Sequence, residues 1–167
     1  PADGHLTRDA DVLLGVTVAD CVPVTLHAPS AGVVGMVHAG WRSAAAGILE
    51  RALGRLRDAF GVRPADLEIH LGPSICGACY EVGPEVFAAL GLDVPDAPTP
   101  IDLPGAIAVR AAMAGVERSR VTRSAWCTRC SPSTLWSHRG GDAGRQVGFV
   151  ALRRPGSTFL GRHPGDG

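Results

Sequence analysis

A valine-rich apolar segment, residues 12–26, most constrains how this chain can fold, because a carboxylate, a thiol and a proline interrupt it. Its first part, residues 12–18, predicts a buried strand. Proline has no N–H to donate to a β-ladder, so we expect the strand to bend, end or lie at a sheet edge near Pro23. Asp20 and Cys21 therefore fall at the end of a buried strand, where two polar side chains need a reason to be present.

A Pro-Ser-Ala-Gly turn at residues 29–32 follows this segment and leads into a second apolar stretch, residues 33–38. The turn residues and the apolar stretch together predict a second buried strand. We predict that the two strands form a hairpin. Such a hairpin would bring the region of Cys21 close to His38.

The clearest helix signal covers residues 43–60, where apolar side chains recur at the three-and-four spacing of one buried face. Ser43 is the predicted N-cap and Gly61 the predicted stop. Further strands are predicted at residues 67–71, 121–126 and 146–152, and further helices at residues 84–90 and 103–114. This irregular alternation indicates an α+β fold, a mixed β-sheet core with flanking helices. We predict a single domain over residues 1–154, followed by a Gly/Pro-rich tail at residues 155–167.

The composition argues against several classes of protein. The chain has 167 residues, of which 46% are apolar and 19% charged, as in a globular domain. Sixteen basic residues balance sixteen acidic ones, so no basic excess predicts a nucleic-acid partner. No apolar run reaches the roughly 18 residues that span a bilayer, and no signal peptide opens the chain, so no membrane partner is expected. The odd number of cysteines, five, predicts reduced thiols and a cytoplasmic protein.

The strand-end residues suit two different chemistries. A cysteine and a histidine that meet at neighbouring strands, as predicted for Cys21 and His38, can act as a thiolate nucleophile with an imidazole base. They can equally bind Zn²⁺, since both are good zinc ligands. The spacing alone leaves both alternatives open, and a buried structural cysteine is the simpler interpretation of Cys21.

Three arginines are candidate anion-binding residues. Arg42 follows His38 at the predicted start of the long helix, where a guanidinium and backbone N–H groups together favour phosphate. Arg139 and Arg145 lie in a Gly- and Arg-rich segment before the last predicted strand. A salt bridge or a helix cap is the plainer role for each of them.

Two C-x-x-C pairs lie downstream, Cys76 with Cys79 and Cys127 with Cys130. Two such pairs are a signal for a structural zinc site, although the separation between the pairs is long for a zinc ribbon. This leaves a third hypothesis, a non-catalytic module stabilised by zinc on four cysteines.

With these segments identified, the chain resembles the laccase-domain family, also called the polyphenol oxidoreductase family, from about Ala2 to Leu152. The motifs that carry the resemblance are Ala19-Asp20-Cys21-Val22-Pro23-Val24, His38-Ala39-Gly40-Trp41-Arg42, Gly72-Pro73-Ser74-Ile75, Cys79-Tyr80-Glu81-Val82, Cys127-Thr128, Ser137-His138-Arg139 and Gly144-Arg145.

The resemblance implies a zinc site made of two histidines and one cysteine. Cys21 and His38 match two of these ligands. The first histidine belongs to a Gln-Val-His-Gly-like motif that this sequence does not contain, and we expect it upstream of Pro1. One Cys/His₂ site is closer to a catalytic zinc than to a copper cluster for phenol oxidation.

The resemblance also implies the reaction, cleavage of purine nucleosides by phosphate, with adenosine deamination as a second activity. The expected substrates are adenosine, inosine, guanosine and methylthioadenosine. On this interpretation Arg42 holds the phosphate, with Arg139 and Arg145 as weaker candidates. Asp20 would orient a ligand or take part in proton transfer.

Overall fold

A computed structural model describes residues 2–131 and 134–153. Nine strands and four helices are formed in this part of the chain. The strands are β1 Gly4–Thr7, β2 Leu13–Val18, β3 Val22–Ala28, β4 Val33–Ala39, β5 Glu68–Leu71, β6 Glu81–Val82, β7 Thr99–Pro100, β8 Val121–Arg123 and β9 Gln146–Ala151. The helices are α1 Trp41–Ala45, α2 Ile48–Phe60, α3 Pro84–Leu90 and α4 Leu103–Met113.

The central sheet has five strands in the order β1-β4-β3-β5-β8. Its neighbours are antiparallel except for β5 and β8, which run parallel. Strands β2 and β9 form a separate antiparallel pair, and β6 with β7 forms another. The predicted α+β fold with a mixed sheet and flanking helices is therefore confirmed.

The two faces of the central sheet are covered differently. Helices α2 and α4 pack on one face, where their leucines and isoleucine join the buried valines of β3 and β4. The β2–β9 pair covers part of the other face, where Leu14, Val16 and Val18 pack against Val34 and Met36 of β4. Side chains alternate between faces along a strand, so His38 projects on the same side as Val34 and Met36.

The predicted hairpin exists, but its first strand is different from the one expected. Strand β3 pairs with β4, whereas β2 pairs with β9 and alternates between exposed and buried residues. The first strand does end close to Cys21, as predicted, because β2 stops at Val18, and Pro23 lies inside the next strand, β3. The carbonyl of Pro23 accepts a hydrogen bond from Gly72 N at 2.9 Å. The proline nitrogen faces the same way, toward Gly72, which lies one residue beyond the last paired residue of β5. The missing N–H falls at the end of the β3–β5 ladder, where a proline disturbs strand pairing least.

The predicted helix over residues 43–60 is in fact two helices, α1 and α2. Gly47 adopts a left-handed conformation with φ of 75° between them, and this breaks the helical hydrogen-bond pattern. Ser43 is not an N-cap but lies inside α1, where its Oγ accepts a hydrogen bond from Gly40 N at 3.0 Å. Gly61 ends α2 in the left-handed conformation, as predicted.

The other predicted elements agree closely with the structure. Helix α3 has the predicted bounds, and α4 begins after Asp102, whose side chain accepts from Gly105 N. Strand β1 was not predicted, because its four residues lack a clear apolar alternation. The Gly/Pro-rich tail at residues 155–167 lies outside the described residues, and the domain boundary at residue 154 stays a prediction.

Packing of β9 on β3 gives a stability test. A Cβ at Gly148 of β9 would lie 2.9 Å from the Cβ of Pro23, whose ring cannot move aside. We expect Gly148→Ala to lower the free energy of unfolding by about 1–3 kcal/mol through overpacking. Urea denaturation would measure the change.

Gly15 of β2 is the matched control, since a Cβ there meets other atoms only at 3.7 Å or more. Gly15→Ala should leave stability unchanged or raise it by about 0.5–1 kcal/mol. Equal effects of the two substitutions would contradict the close contact between β9 and Pro23.

Candidate active site

Cys21 and His38 are brought together by the pairing of β3 with β4. The last ladder pairs are Pro23 with His38 and Val22 with Ala39, so Cys21 comes opposite Gly40. A Cβ at Gly40 would lie 3.0 Å from Cys21 Sγ, which shows how closely the two chains approach. Alternation places Cys21 and His38 on the same face of the sheet as diagonal neighbours. The glycine leaves open the space beside the thiol.

His38 has a carboxylate within reach. Its Nδ1 lies 3.9 Å from Oδ1 of Asp3, and its backbone N donates to the Asp3 carbonyl at 2.7 Å. About a third of the His38 side chain is exposed. At a separation of 3.9 Å the two side chains are neighbours without a direct hydrogen bond. Sequence reasoning missed Asp3, because the strand that follows it was not predicted.

The environment of Cys21 disfavours its thiolate. Burial raises the pKa of the thiol, and the negative charges of Asp20 and Asp3 raise it further, while Arg145 lowers it. The thiol is half-buried and is not paired in a disulfide. Without a metal, Cys21 is therefore protonated at neutral pH, unlike an activated nucleophile.

Asp20 is the buried polar centre of the region. Its Oδ1 accepts from Thr128 Oγ1 at 2.6 Å, its Oδ2 accepts from Arg139 N at 2.7 Å, and its carbonyl accepts from Ile75 N at 3.1 Å. The residue has φ of 83°, a conformation that aspartate tolerates better than most residues. Asp20 thus joins three separate loops to the start of β3. Its side-chain bonds go to these loops and not to Cys21 or His38.

The three predicted arginines are arranged around this centre. Arg42 is exposed, and its guanidinium lies 4.3 Å from the centroid of the Trp41 ring. It stands in a five-residue helix, so the dipole of a long helix, assumed in the prediction, does not apply. The guanidinium of Arg139 lies 5.3 Å from the Tyr80 ring, and Arg145 Nη1 donates to the carbonyl of Gly144 at 2.7 Å.

Tyr80 is a further residue of the site that sequence reasoning did not assign. Burial raises the pKa of its phenol, the charges of Cys21 and Asp20 raise it further, and Arg139 and Arg42 lower it. The side chain therefore lies within electrostatic range of four predicted site residues. Its presence in a motif shared with the laccase-domain family was the available signal.

The two C-x-x-C pairs meet in the structure. The sulfur atoms of all four cysteines lie within 4.8 Å of one another, and the group could bind a metal ion. Burial raises the pKa of Cys127, but backbone N–H groups of Cys76, Cys130 and Arg129 outweigh burial and lower it to about 6. Among the described residues this is the only cluster of three or more potential metal ligands, so Cys21 and His38 have no third ligand there.

Comparison with known proteins identifies the family. A family model described as multi-copper polyphenol oxidoreductase laccase matches residues 1–153. The chain belongs to this family. The expected resemblance is confirmed.

Relatives in this family carry the names of nucleoside-processing enzymes. The purine nucleoside phosphorylase YlmD of Geobacillus stearothermophilus is 36% identical over 164 residues, which cover 90% of this chain and 60% of that protein. The adenosine deaminase RL5, from an unknown prokaryotic organism, is 33% identical over 82% of this chain and 56% of its own length. The crystal structure of the Geobacillus YlmD superposes with a TM-score of 0.87 at 34% identity, covering 92% of this chain and 62% of that one. The chain thus spans about 60% of the length of these laccase-family relatives.

The hydrogen bond between Thr128 and Asp20 predicts an energetic coupling between these two residues. Asp20→Asn keeps the shape and the positive φ but turns one acceptor into an N–H donor. We expect it to lower the free energy of unfolding by about 1–3 kcal/mol, because a buried donor loses its partner. In urea denaturation, Asp20→Asn combined with Thr128→Val should cost less than the sum of the two single changes.

Asp58→Asn is the control, since this exposed carboxylate bonds only its neighbour Arg57, at 2.8 Å, among the interactions in the described part of the chain. Its effect should stay below about 0.5 kcal/mol. Strict additivity of Asp20→Asn and Thr128→Val would show that their side chains do not interact.

The raised pKa of Cys21 predicts a slow reaction with iodoacetamide in zinc-free protein at pH 7. Only the thiolate reacts, so the rate should keep rising above the pH at which ordinary thiols are already ionised. Peptide mass spectrometry would follow the rate from pH 6 to about 10. The same cysteine in urea-unfolded protein is the control and should react faster at each pH. Rapid alkylation of the folded protein at pH 7 would instead favour a metal-free hydrolase that uses Cys21 as nucleophile and His38 as base.

Proposed function

We propose that the protein containing this chain catalyses zinc-dependent phosphorolysis of purine nucleosides, with adenosine deamination as a second activity. The observation that carries the proposal is the placement of Cys21 and His38 on one face of the β3–β4 hairpin, with Arg145 in electrostatic range of Cys21 and with Arg42 and Arg139 in range of Tyr80. The names of the YlmD and RL5 relatives support the two reactions.

The donor set fits zinc better than copper. A cysteine thiolate and an imidazole are common zinc ligands, and a catalytic zinc takes three protein ligands and keeps one position open. Cys21 and His38 would supply two of them, and the third would come from outside the described residues. A multi-copper centre needs several histidines in one place, and the described part of the chain has no such cluster.

The exposed arginines Arg42 and Arg139 would bind the phosphate. In phosphorolysis an oxygen of inorganic phosphate bonds to C1′ of the ribose, and the bond from C1′ to the purine nitrogen breaks. The electron pair leaves with the purine, which takes up a proton, and ribose 1-phosphate is released. Guanidinium groups suit the incoming dianion, and Arg42 and Arg139 both lie near Tyr80. When bound, zinc would polarise a reacting oxygen in phosphorolysis or activate water in deamination.

Asp20 has a positioning role in this proposal. Each of its carboxylate oxygens accepts from one donor, the buried Thr128 hydroxyl for Oδ1 and the backbone N of Arg139 for Oδ2. The carboxylate therefore fixes the loop that carries a phosphate-binding arginine. This differs from the proton-transfer role that the sequence left open.

A groove of about 500 Å³ between α3 and α4 is not the substrate site in this proposal. Its two charged residues, Glu50 and Arg110, bind each other at 2.6 Å. None of the predicted site residues lines it. The chemistry-bearing groups lie instead at the Cys21 end of the hairpin.

The two competing hypotheses, a metal-free hydrolase and a non-catalytic zinc module, agree with the structure to different degrees. A metal-free Cys–His hydrolase needs a thiolate at neutral pH, and the raised pKa of Cys21 weighs against it. A non-catalytic zinc module is compatible with the four-cysteine cluster, but that cluster leaves Cys21 and His38 without an explanation.

The reducing cytoplasm is the proposed location, in keeping with five free cysteines. No helix in the described residues is both long and apolar enough to span a bilayer.

Arg42→Ala in the full-length protein should raise the phosphate KM about tenfold or more, through loss of a charge-assisted hydrogen bond. Steady-state phosphorolysis of inosine at varied phosphate concentration would measure it. Arg51→Ala removes an exposed arginine from α2 and is the matched control, for which kinetics should stay unchanged. An unchanged phosphate KM in Arg42→Ala would refute the assigned role.

A further inference from the structure

We propose that Cys76, Cys79, Cys127 and Cys130 bind one Zn²⁺ as a closed tetrahedral site, separate from the site at Cys21 and His38. The site is structural, because four protein ligands leave no open position for a substrate. This inference is independent of the proposed phosphorolysis.

The sulfur positions fit one zinc ion. Tetrahedral coordination with Zn–S bonds of 2.3 Å requires sulfur atoms about 3.8 Å apart. Sγ of Cys76 and Sγ of Cys130 lie 3.8 Å apart, and all four sulfurs lie within 4.8 Å of one another. Each C-x-x-C pair contributes two ligands, which is the usual spacing in structural zinc sites.

The backbone around Cys127 is arranged to support a negatively charged sulfur. N–H groups of Cys76, Arg129 and Cys130 point at Cys127 Sγ with distances of 3.3, 3.4 and 3.5 Å. Cys127 N in turn donates to Ser131 Oγ at 2.7 Å, which fixes the turn. Donors around a ligating atom are the surroundings expected of a metal site.

The site would join two loops that otherwise meet through few backbone bonds. Ser74 and Cys127 form an isolated β-bridge, and Thr128 N donates to the Ser74 carbonyl at 3.1 Å. Thr128 is also the residue that donates to Asp20. Zinc on the four cysteines therefore holds Thr128 in place, and through it the buried carboxylate beside Cys21.

The charge balance is simple. Zn²⁺ binds four thiolates and displaces the protons of those cysteines that are still thiols, no electron is transferred, and the centre carries a net charge of −2. Arg129 lies beside it, where its Nη1 donates to the Cys79 carbonyl at 3.2 Å. Its guanidinium offsets part of this charge.

The decisive experiment is metal analysis by mass spectrometry of the full-length protein and three variants. Cys130→Ser removes a ligand that is exposed, so the fold should tolerate it. It should lose about one equivalent of zinc, Cys21→Ala should lose the other, and the double variant should lose both. Zinc that is fully retained in Cys130→Ser, or iron in place of zinc, would overturn the proposal.

The same data separate this proposal from the proposed function. If the zinc at Cys21 and His38 does not exist, the wild type will hold one zinc that survives Cys21→Ala and disappears in Cys130→Ser. The four-cysteine site then stands, and the catalytic zinc fails. If only the four-cysteine site is wrong, Cys21→Ala alone will remove the metal.

Two measurements do not depend on how well Cys130→Ser folds. X-ray absorption of zinc in the Cys21→Ala protein should show four sulfur neighbours near 2.3 Å. Mass analysis should show Cys76 and Cys130 as free thiols, whereas a loss of two hydrogens in a Cys76–Cys130 disulfide would overturn the site. As a third comparison, which needs a folded double variant, a chelator should lower the melting temperature of Cys21→Ala and leave that of the variant with both Cys21→Ala and Cys130→Ser unchanged.

Discussion

The buried carboxylate of Asp20 is the interaction on which the candidate site depends. It sits just before β3 with a positive φ and accepts hydrogen bonds from Thr128 and from Arg139 N. A buried charge is costly unless donors surround it, so the loops that supply these donors cannot move independently. The carboxylate fixes two distant loops against the start of the central hairpin, and the residues proposed for chemistry lie on these segments.

The β3–β4 pairing then determines which side chains face each other. A shift of one residue would turn Cys21 and His38 to the helix-covered face, because side chains alternate along a strand. The alternation of β3 disfavours this shift, since every second residue of that strand is apolar and joins the helix-covered core. The same burial that stabilises the sheet therefore places a thiol and an imidazole together at its end.

The two proposed metal sites have different roles: the site at Cys21 and His38 is catalytic, and the four-cysteine site is structural. Cys21 and His38 are partly exposed at a strand end with arginines nearby, as a reacting centre needs. The four-cysteine cluster is closed and lies on the loops that meet Asp20. Thr128 connects the two regions, because it follows the ligand Cys127 and donates to Asp20. Loss of zinc from the cluster would therefore disturb the surroundings of Cys21 through the hydrogen bond from Thr128 to Asp20.

The sequence by itself determined the fold class, most helix and strand positions, and the segments that carry the candidate site, because periodicity and motifs are local properties. It misjudged the partner of β4 and missed the break at Gly47, since strand pairing and a left-handed glycine depend on packing. Only the tertiary structure decided that Asp20 ties loops together, that Tyr80 lies among the charges, and that distant cysteines meet. These are contacts between segments far apart in the chain, and no local pattern encodes their distances.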